Sequence, residues 1–113
     1  MSDCIFCKII KKEIPSTAVY ENENIYAFRD IHPQAKTHIL IIPKKHISSV
    51  TQIDTSSETL KQIFDGIKQI AKQEKIDPSG FRVVTNNGPY AGQTVFHLHF
   101  HILGGERLSD KMA

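Results

Sequence analysis

Three histidines, His97, His99 and His101, alternate with apolar residues within five positions of the chain. Side chains two residues apart leave the same face of a β-strand at steps of roughly 6.7 Å. The spacing therefore predicts a strand with three imidazoles on one face and Leu98 and Phe100 on the other. An imidazole can accept a proton, donate one, attack as a nucleophile or bind a metal near neutral pH. The segment therefore indicates a catalytic or metal-binding site.

Three explanations of this histidine face compete. An outer sheet face that meets only solvent is the simplest, but strict alternation after a glycine-containing loop argues against it. A catalytic metal centre would take two of the histidines, a third ligand and a water molecule. No carboxylate follows the segment before Glu106, which counts against a metal centre, although backbone carbonyls can also orient metal-bound histidines. In the third explanation a neutral imidazole attacks phosphorus, and a second imidazole assists the leaving group.

The composition predicts one globular domain over residues 1–113. Hydrophobic residues make up 40% of the chain and charged residues 23%, which argues against disorder. No apolar run approaches the roughly 20 residues that cross a bilayer, and the N-terminus lacks the pattern of a secretory signal. We therefore expect a cytoplasmic protein without a membrane partner. The net charge of +2 is too small to indicate nucleic-acid binding.

The apolar pattern predicts an α+β fold, with a mostly antiparallel sheet, one long helix and a short N-terminal helix. We expect the short helix within residues 4–12 and the long helix from about Ser56 to Lys75. The 37–42 strand is almost continuously apolar, so we expect it at the centre of the sheet, with His38 at a sheet edge or cleft mouth. The full set of predicted strands is 17–20, 24–29, 37–42, 81–85 and 97–103.

Two signals predict the long helix. Thr55 and Glu58 resemble a capping box at its start. Apolar residues then recur at helical spacing, which predicts one face packed in the core. These residues are Leu60, Ile63, Phe64, Ile67, Ile70 and Ala71.

The two cysteines of the chain, Cys4 and Cys7, form a Cys-x-x-Cys pair near the N-terminus. A structural disulfide is not expected in a reducing cytosol, and the sequence around the pair lacks the βαβ pattern of a thioredoxin-type redox site. The same spacing is half of a tetrahedral zinc site, which would need two more ligands from elsewhere in the chain. Two unliganded thiols remain the alternative.

The segment from His97 to Leu103 matches His-φ-His-φ-His-φ-φ, where φ is apolar, and so resembles the signature of the histidine triad (HIT) family. The resemblance implies a homodimeric, nucleotide-binding hydrolase that acts on the α-phosphorus of purine nucleoside phosphoramidates and related AMP conjugates. The alternatives are a dinucleoside polyphosphate hydrolase and a nucleotide-binding interaction module with incidental catalysis. Further blocks are similar to the Hint branch of the family and cover most of the chain: residues 5–10, 28–31, 34–38, 42–47, 86–88, 92–95 and 103–105.

By this resemblance, His99 is the nucleophile and forms a nucleotidyl-histidine. His101 would contact the phosphate or the leaving group, and His38 would lie beside the phosphate. Asp30 would bind the ribose hydroxyls, and Ile31 would pack against the base. Without the family, Asp30 could equally cap a turn, and His38 could be a hydrogen-bonded edge histidine.

The same resemblance places Asn86, Gln93 and Thr94 on the phosphate and leaving-group side. Thr94 stands where many Hint proteins have serine, and both residues supply a hydroxyl. Without the family, Asn86 would be assigned only to a turn.

Many bacterial members of the family carry paired N-terminal cysteines that bind a structural zinc ion. The other ligands in those proteins correspond to His46 and His97 of this chain. The resemblance therefore implies a closed zinc site made by Cys4, Cys7, His46 and His97, with no open position for catalysis.

Overall fold

One antiparallel sheet and two α-helices make up the fold in the computed structural model, which describes residues 4–111. The predicted α+β class is confirmed, with three strands, a long helix and two further strands in that order. Two short 3₁₀ turns cover Val50–Gln52 and Pro89–Ala91. The helices and strands are α1, Ile5–Ile10; β1, Ala18–Glu21; β2, Ile25–Arg29; β3, Thr37–Pro43; α2, Glu58–Gln73; β4, Arg82–Val84; and β5, Phe100–Gly104.

Strand β3 lies at the centre of the sheet, whose order is β1-β2-β3-β5-β4. Every residue of β3 from His38 to Pro43 is buried, as its continuous apolar sequence predicts. Of the two places expected for His38, the sheet edge is wrong, because β3 has a paired strand on either side. The cleft mouth agrees with the structure, in which His38 lines a cavity. His38 lies opposite Leu103 of β5.

Alternate residues of the strands enter two apolar clusters, one on either face of the sheet. Ile39 and Ile41 pack under α2 on one face. Leu40 packs with Phe6 of α1 on the other face. Fully burying one such aliphatic side chain contributes about 2 kcal/mol. Because His101 lies opposite Leu40 across β3 and β5, the histidine face of β5 is the α1 face.

Helix α2 begins later than the sequence predicts. Its N-cap is Ser57, whose Oγ accepts a hydrogen bond from the N–H of Leu60 at 3.3 Å, so the predicted capping box at Thr55 is wrong. The physical reason is a turn before the helix, in which the Ser57 N–H donates to the carbonyl of Asp54. None of the helices within residues 4–111 is long and apolar enough to cross a membrane.

One residue of the predicted apolar stripe, Phe64, is 50% exposed. Its ring lies edge-to-face with that of Phe100, at a centroid distance of 5.9 Å. Four other residues of the stripe are buried as predicted, namely Ile63, Ile67, Ile70 and Ala71. Gly66 is buried as well, and a Cβ added there would lie 2.8 Å from the Ile41 Cδ1 atom. The helix therefore packs on the sheet through most of the predicted stripe and through a glycine that the pattern does not include.

The strand that carries the histidines is shorter than predicted. It starts at Phe100, so His97 and His99 precede it. The carbonyl of Pro43, the last residue of β3, accepts a hydrogen bond from the His97 ring at 2.8 Å. The Leu98 N–H donates to the loop that follows β3. The segment before Phe100 is therefore held by side-chain and loop contacts instead of by strand pairing.

Candidate functional site

The three histidines share one face of the molecule, although two of them precede β5. Phe6 packs edge-on against the rings of His97 and His99, at centroid distances of 5.9 and 5.1 Å. The rings of His99 and His101 are 5.2 Å apart. Leu98 packs in the α2 cluster on the opposite face. The alternation expected from the sequence is therefore present.

The ring of His99 is held in one tautomer. Its Nδ1 lies 2.8 Å from the backbone carbonyl oxygen of His97. A carbonyl can only accept a hydrogen bond, so Nδ1 of the neutral ring carries the proton and Nε2 is left with its lone pair. His99 therefore offers a nucleophilic nitrogen at Nε2.

The neutral ring of His101 carries its proton on the other nitrogen, Nε2. The backbone N–H of Gln34 donates to His38 Nδ1 at 2.9 Å, so the proton of the neutral His38 ring is on its Nε2. His38 Nε2 donates to His101 Nδ1 at 2.9 Å, which puts the proton of His101 on Nε2. The two neighbouring rings thus offer a lone pair from His99 and a proton from His101.

A carboxylate stands beside the His38–His101 pair. Asp30 Oδ2 lies 3.5 Å from His38 Nε2, and Asp30 Oδ1 accepts the N–H of His32 at 2.8 Å. The donor atoms of Asp30, His38 and His101 lie within 4.8 Å of one another, so they could hold a metal ion. Two nitrogen ligands of one tetrahedral zinc ion are about 3.3 Å apart, however, and the separation of 2.9 Å between these rings fits a hydrogen bond better.

Burial keeps the rings of this group neutral. It lowers the pKa of His101 to about 4, with a further contribution from the neighbouring rings of His99 and His38. Burial also lowers the pKa of His99, against the opposing hydrogen bond to the His97 carbonyl. The pKa of His38 is lowered by burial as well, although Asp30 acts in the opposite direction. All three rings are therefore neutral near pH 7, as a nucleophile and a hydrogen-bond relay require.

A cavity of about 360 Å³ adjoins the rings of His38 and His101. Its volume lies within the range of small-molecule sites, about 300–1,000 Å³. Asn86 lines this cavity, so the structure brings one predicted nucleotide-binding residue to the histidines. Ile31 is 84% exposed next to Asp30, which gives a free apolar surface beside a carboxylate.

The loop before the histidine segment is braced by Gln93, which is buried. Its Oε1 accepts the N–H of Gly88 at 2.7 Å, and its Nε2 donates to the carbonyls of Ser48 and Val95. Both amide hydrogens are used within the protein, so the side chain shapes the loop. Thr94 is exposed and borders a different cavity from the one described above. Phosphate contacts by Gln93 and Thr94 stay predictions.

A second cluster joins α1 to the histidine segment. The four donor atoms of Cys4, Cys7, His46 and His97, here named the Cys–His cluster, lie within 4.8 Å of one another. The Nδ1 atom of His97 is 3.3 Å from Cys4 Sγ and 3.6 Å from Cys7 Sγ. The Nδ1 atom of His46 is 3.4 Å from Cys7 Sγ. The structure thus brings together all four residues of the predicted zinc site.

The donors of the Cys–His cluster fit a tetrahedral metal ion such as zinc. A sulfur ligand at about 2.3 Å and a nitrogen ligand at about 2.1 Å are about 3.6 Å apart in a tetrahedron. His97 Nε2 donates to the carbonyl of Pro43, so the Nδ1 lone pair faces the thiols. Burial and the neighbouring Cys4 raise the pKa of the Cys7 thiol, and a cation would offset that shift. Four protein ligands would leave no open position on such an ion.

Three contacts at the site were not predicted from the sequence. Gln34 acts through its backbone N–H and Pro43 through its carbonyl, and sequence patterns carry no signal for such atoms. Phe6 packs edge-on against the His99 ring, and its signals in the sequence are an apolar residue between the two cysteines and the family-like block 5–10.

The chain is similar to known proteins of one family. A protein-family model described as the HIT domain matches residues 11–108. A 14 kDa zinc-binding protein from Zea mays is 50% identical over 112 residues, which cover 96% of this chain and 86% of that protein. A purine nucleoside phosphoramidase from Escherichia coli is 44% identical over 112 residues, which cover 98% of this chain and 94% of that protein. The solved structure of a HIT family hydrolase from Clostridium thermocellum has a TM-score of 0.94 at 46% identity, and covers 100% of this chain and 99% of that chain.

We expect His101 to stay neutral down to about pH 4 in the folded protein, whereas its ordinary pKa is 6.5. Between these values the unfolded chain binds a proton that the folded protein excludes. The contribution of His101 to the free energy of unfolding is therefore complete above about pH 6.5 and is lost as the pH falls toward 4. NMR titration of the labelled ring measures the midpoint, and urea unfolding across this pH range measures the stability.

The control for this prediction is His101→Gln, which removes the titrating ring. Its free energy of unfolding should fall less steeply between pH 6.5 and 4 than that of the wild type. A His101 midpoint at or above 6.5 in the folded protein would contradict the prediction.

Proposed function

Because this chain belongs to the HIT domain family, whose similar members include a hydrolase and a purine nucleoside phosphoramidase, we propose that it hydrolyses the P–N bond of purine nucleoside phosphoramidates and related AMP conjugates. The proposal assigns the chain to the Hint branch, as a single HIT domain over residues 1–113. One observation carries it: the opposed tautomers of His99 and His101. A lone pair and an N–H on neighbouring rings suit a displacement at phosphorus, where one nitrogen attacks and the other serves the departing amine.

The reaction proceeds in two steps. First, His99 Nε2 attacks the α-phosphorus, the bond from phosphorus to the amine breaks, and the departing amine accepts a hydrogen bond from His101 Nε2–H and takes its proton from solvent. The His97 carbonyl accepts the Nδ1–H of His99 and stabilises the positive charge that the ring gains. Second, water attacks the phosphorus of the nucleotidyl-histidine and the bond to Nε2 breaks. The proton of the water goes to solvent, the lone pair returns to His99 Nε2, and the nucleoside monophosphate leaves.

The nucleoside half of the substrate lies against β2 and the loop that follows it. Asp30 binds the ribose hydroxyls, and the exposed Ile31 packs against the purine. His38 lies beside the phosphate and holds the tautomer of His101.

The phosphate and leaving-group side is formed by the loop before the histidine segment. Asn86 lines the cavity beside His101, where the amine would depart. Thr94 supplies a hydroxyl from the same loop, and Gln93 holds that loop in shape.

We expect His99→Ala to lower kcat for an adenosine phosphoramidate by at least roughly 1,000-fold, because the attacking nitrogen is removed. Steady-state kinetics measures the loss, and the dissociation constant of AMP shows that the site is still formed. The exposed histidine His32 supplies the matched control. His32→Ala removes an imidazole that lies outside the Cys–His cluster and outside the group of Asp30, His38 and His101. Retained turnover in His99→Ala would exclude covalent catalysis by that residue.

The same experiment separates the alternative functions. A slowed variant such as His101→Ala should carry a covalent nucleotide that intact-protein mass spectrometry detects. Faster turnover of a diadenosine polyphosphate than of the phosphoramidate would favour the polyphosphate hydrolase. Tight AMP binding with negligible turnover of either substrate would favour an interaction module.

We also propose that the Cys–His cluster holds a structural zinc ion. Its support is the convergence of two thiols and two imidazole nitrogens within 4.8 Å, together with the similarity to a zinc-binding protein. Both cysteines are free thiols, as a reducing cytoplasm would keep them. The ion would tie α1 to the loop after β3 and to the histidine segment.

The purified protein should contain one zinc ion per chain by elemental analysis. Cys4→Ser should lose the ion and lower Tm by at least about 5 °C, because binding to the folded state adds directly to its stability. Stripping the wild type with a chelator should lower Tm similarly, and added zinc should restore it. Wild-type protein without zinc, together with an unchanged Tm in Cys4→Ser, would rule the site out.

A homodimer is supported by the open edge of the sheet. Within residues 4–111 no strand pairs with the outer edge of β4. Val83 of β4 is 39% exposed and lies opposite Ile102, which packs in the α2 cluster, so Val83 is on the α2 face. The half-exposed Phe64 of α2 lies on that face too. An unpaired edge beside exposed apolar side chains favours self-association, and we propose that two copies meet there.

Sedimentation velocity should therefore give the mass of a dimer for the wild type. Val83→Asp should give a monomer, because a charge would be buried in the contact. Ala18→Asp puts the same charge on β1, the opposite edge strand, and should stay dimeric. A monomeric wild type at micromolar concentration would contradict the proposal.

A further inference from the structure

One residue, His97, connects the Cys–His cluster to His99. Its Nδ1 faces the thiols of the Cys–His cluster, and its Nε2 donates to the carbonyl of Pro43 at 2.8 Å. Its backbone carbonyl accepts the Nδ1–H of His99, also at 2.8 Å. The residue is fully buried, and both nitrogens of its ring have partners within the protein. Fixing that ring also fixes the peptide group that orients the nucleophile.

Helix α1 makes a second connection between the Cys–His cluster and His99. Phe6 lies between Cys4 and Cys7, and its ring packs on that of His99 at a centroid distance of 5.1 Å. The helix has six residues, which is too short to be stable alone. Its N-cap is Cys4 itself, whose Sγ accepts the N–H of Cys7. The two thiols therefore help to set the position of Phe6 against His99, together with the apolar cluster in which Phe6 packs.

Strand pairing does not hold His99 directly, since β5 begins at Phe100. We infer that the Cys–His cluster, when it holds its metal, positions the nucleophile His99 through the His97 carbonyl and the Phe6 ring. The inference rests on the proposed hydrolase function and adds to it. A metal ion that touches no substrate atom would set the tautomer and place of the attacking nitrogen.

Asp30 and His38, on the nucleoside side of the site, are held independently of the Cys–His cluster. Asp30 and His38 are joined by a backbone hydrogen bond of 3.0 Å between β2 and β3, and Gln34 fixes the His38 ring. These contacts belong to the sheet and to the loop after β2. Loss of the metal should therefore slow the chemical step and leave nucleotide binding almost unchanged, whereas a purely structural role would weaken both.

The experiment compares His46→Ala with His46→Cys in the full-length protein purified with zinc. Either variant loses the imidazole, but only cysteine restores a fourth ligand. Metal analysis should find zinc in the wild type and in His46→Cys, and little in His46→Ala. For His46→Ala we expect kcat on an adenosine phosphoramidate to fall about 100-fold, as a small misplacement of a reacting group can cause, with the dissociation constant of AMP nearly unchanged. His46→Cys should recover most of kcat, and the adjacent exposed residue gives the surface control Lys45→Ala.

A second measurement needs no turnover. Long-range proton–nitrogen NMR of the substrate-free protein should show His99 as a single Nδ1–H tautomer in the wild type and in His46→Cys, and as a mixture in His46→Ala. If phosphoramidates prove not to be substrates, the proposed function fails while this arm still decides the positioning role. A single His99 tautomer with full kcat in metal-free His46→Ala would overturn the inference. So would a zinc-loaded His46→Cys that stays slow, or a loss of AMP binding that parallels the loss of kcat.

Discussion

The hydrogen bond from the His99 ring to the carbonyl of His97 is the constraint on which the rest of the site depends. A carbonyl oxygen has no proton to give, so the bond leaves Nε2 as the basic nitrogen for as long as the ring is neutral. It also satisfies an N–H that would otherwise be buried without a partner, which would cost about 1–3 kcal/mol. One contact therefore stabilises the fold and prepares the nucleophile. The position of His97 becomes as important as that of His99.

Burial of the histidine rings is compatible with catalysis because their buried nitrogens are hydrogen-bonded. Imidazolium is disfavoured away from water, so the pKa of His97 falls to about 4 mainly through burial, and that of His101 does the same. Within the described residues, no buried side-chain nitrogen or oxygen lacks a hydrogen-bond partner. The chain from Gln34 through His38 to His101 is the clearest case. His97, His99 and His101 look equivalent in the sequence, but in the structure each ring is neutral and carries its proton on a defined nitrogen.

Sequence patterns predict the parts of this structure that depend on side-chain periodicity. The central strand β3 follows from its almost continuous apolar run, and the single histidine face follows from a period of two. Features set by geometry between distant backbone atoms are not predictable in this way. The helix cap moves from Thr55 to Ser57 because of a preceding turn, and Phe64 of the predicted apolar stripe is half-exposed. The acceptor for the His97 ring is a backbone carbonyl of Pro43, which no motif encodes.

The three histidines differ because the second nitrogen of each ring meets a different partner. For His97 one nitrogen meets the Pro43 carbonyl and the other the thiols, so nothing remains for substrate. For His99 the partner is a carbonyl, and the free nitrogen is a base. For His101 the partner is a donating His38 ring, and the free nitrogen carries the N–H. Alternating side chains can therefore repeat one residue type and still separate a ring that faces the thiols, a ring with a basic nitrogen and a hydrogen-bond donor, provided that three different acceptors or donors lie behind them.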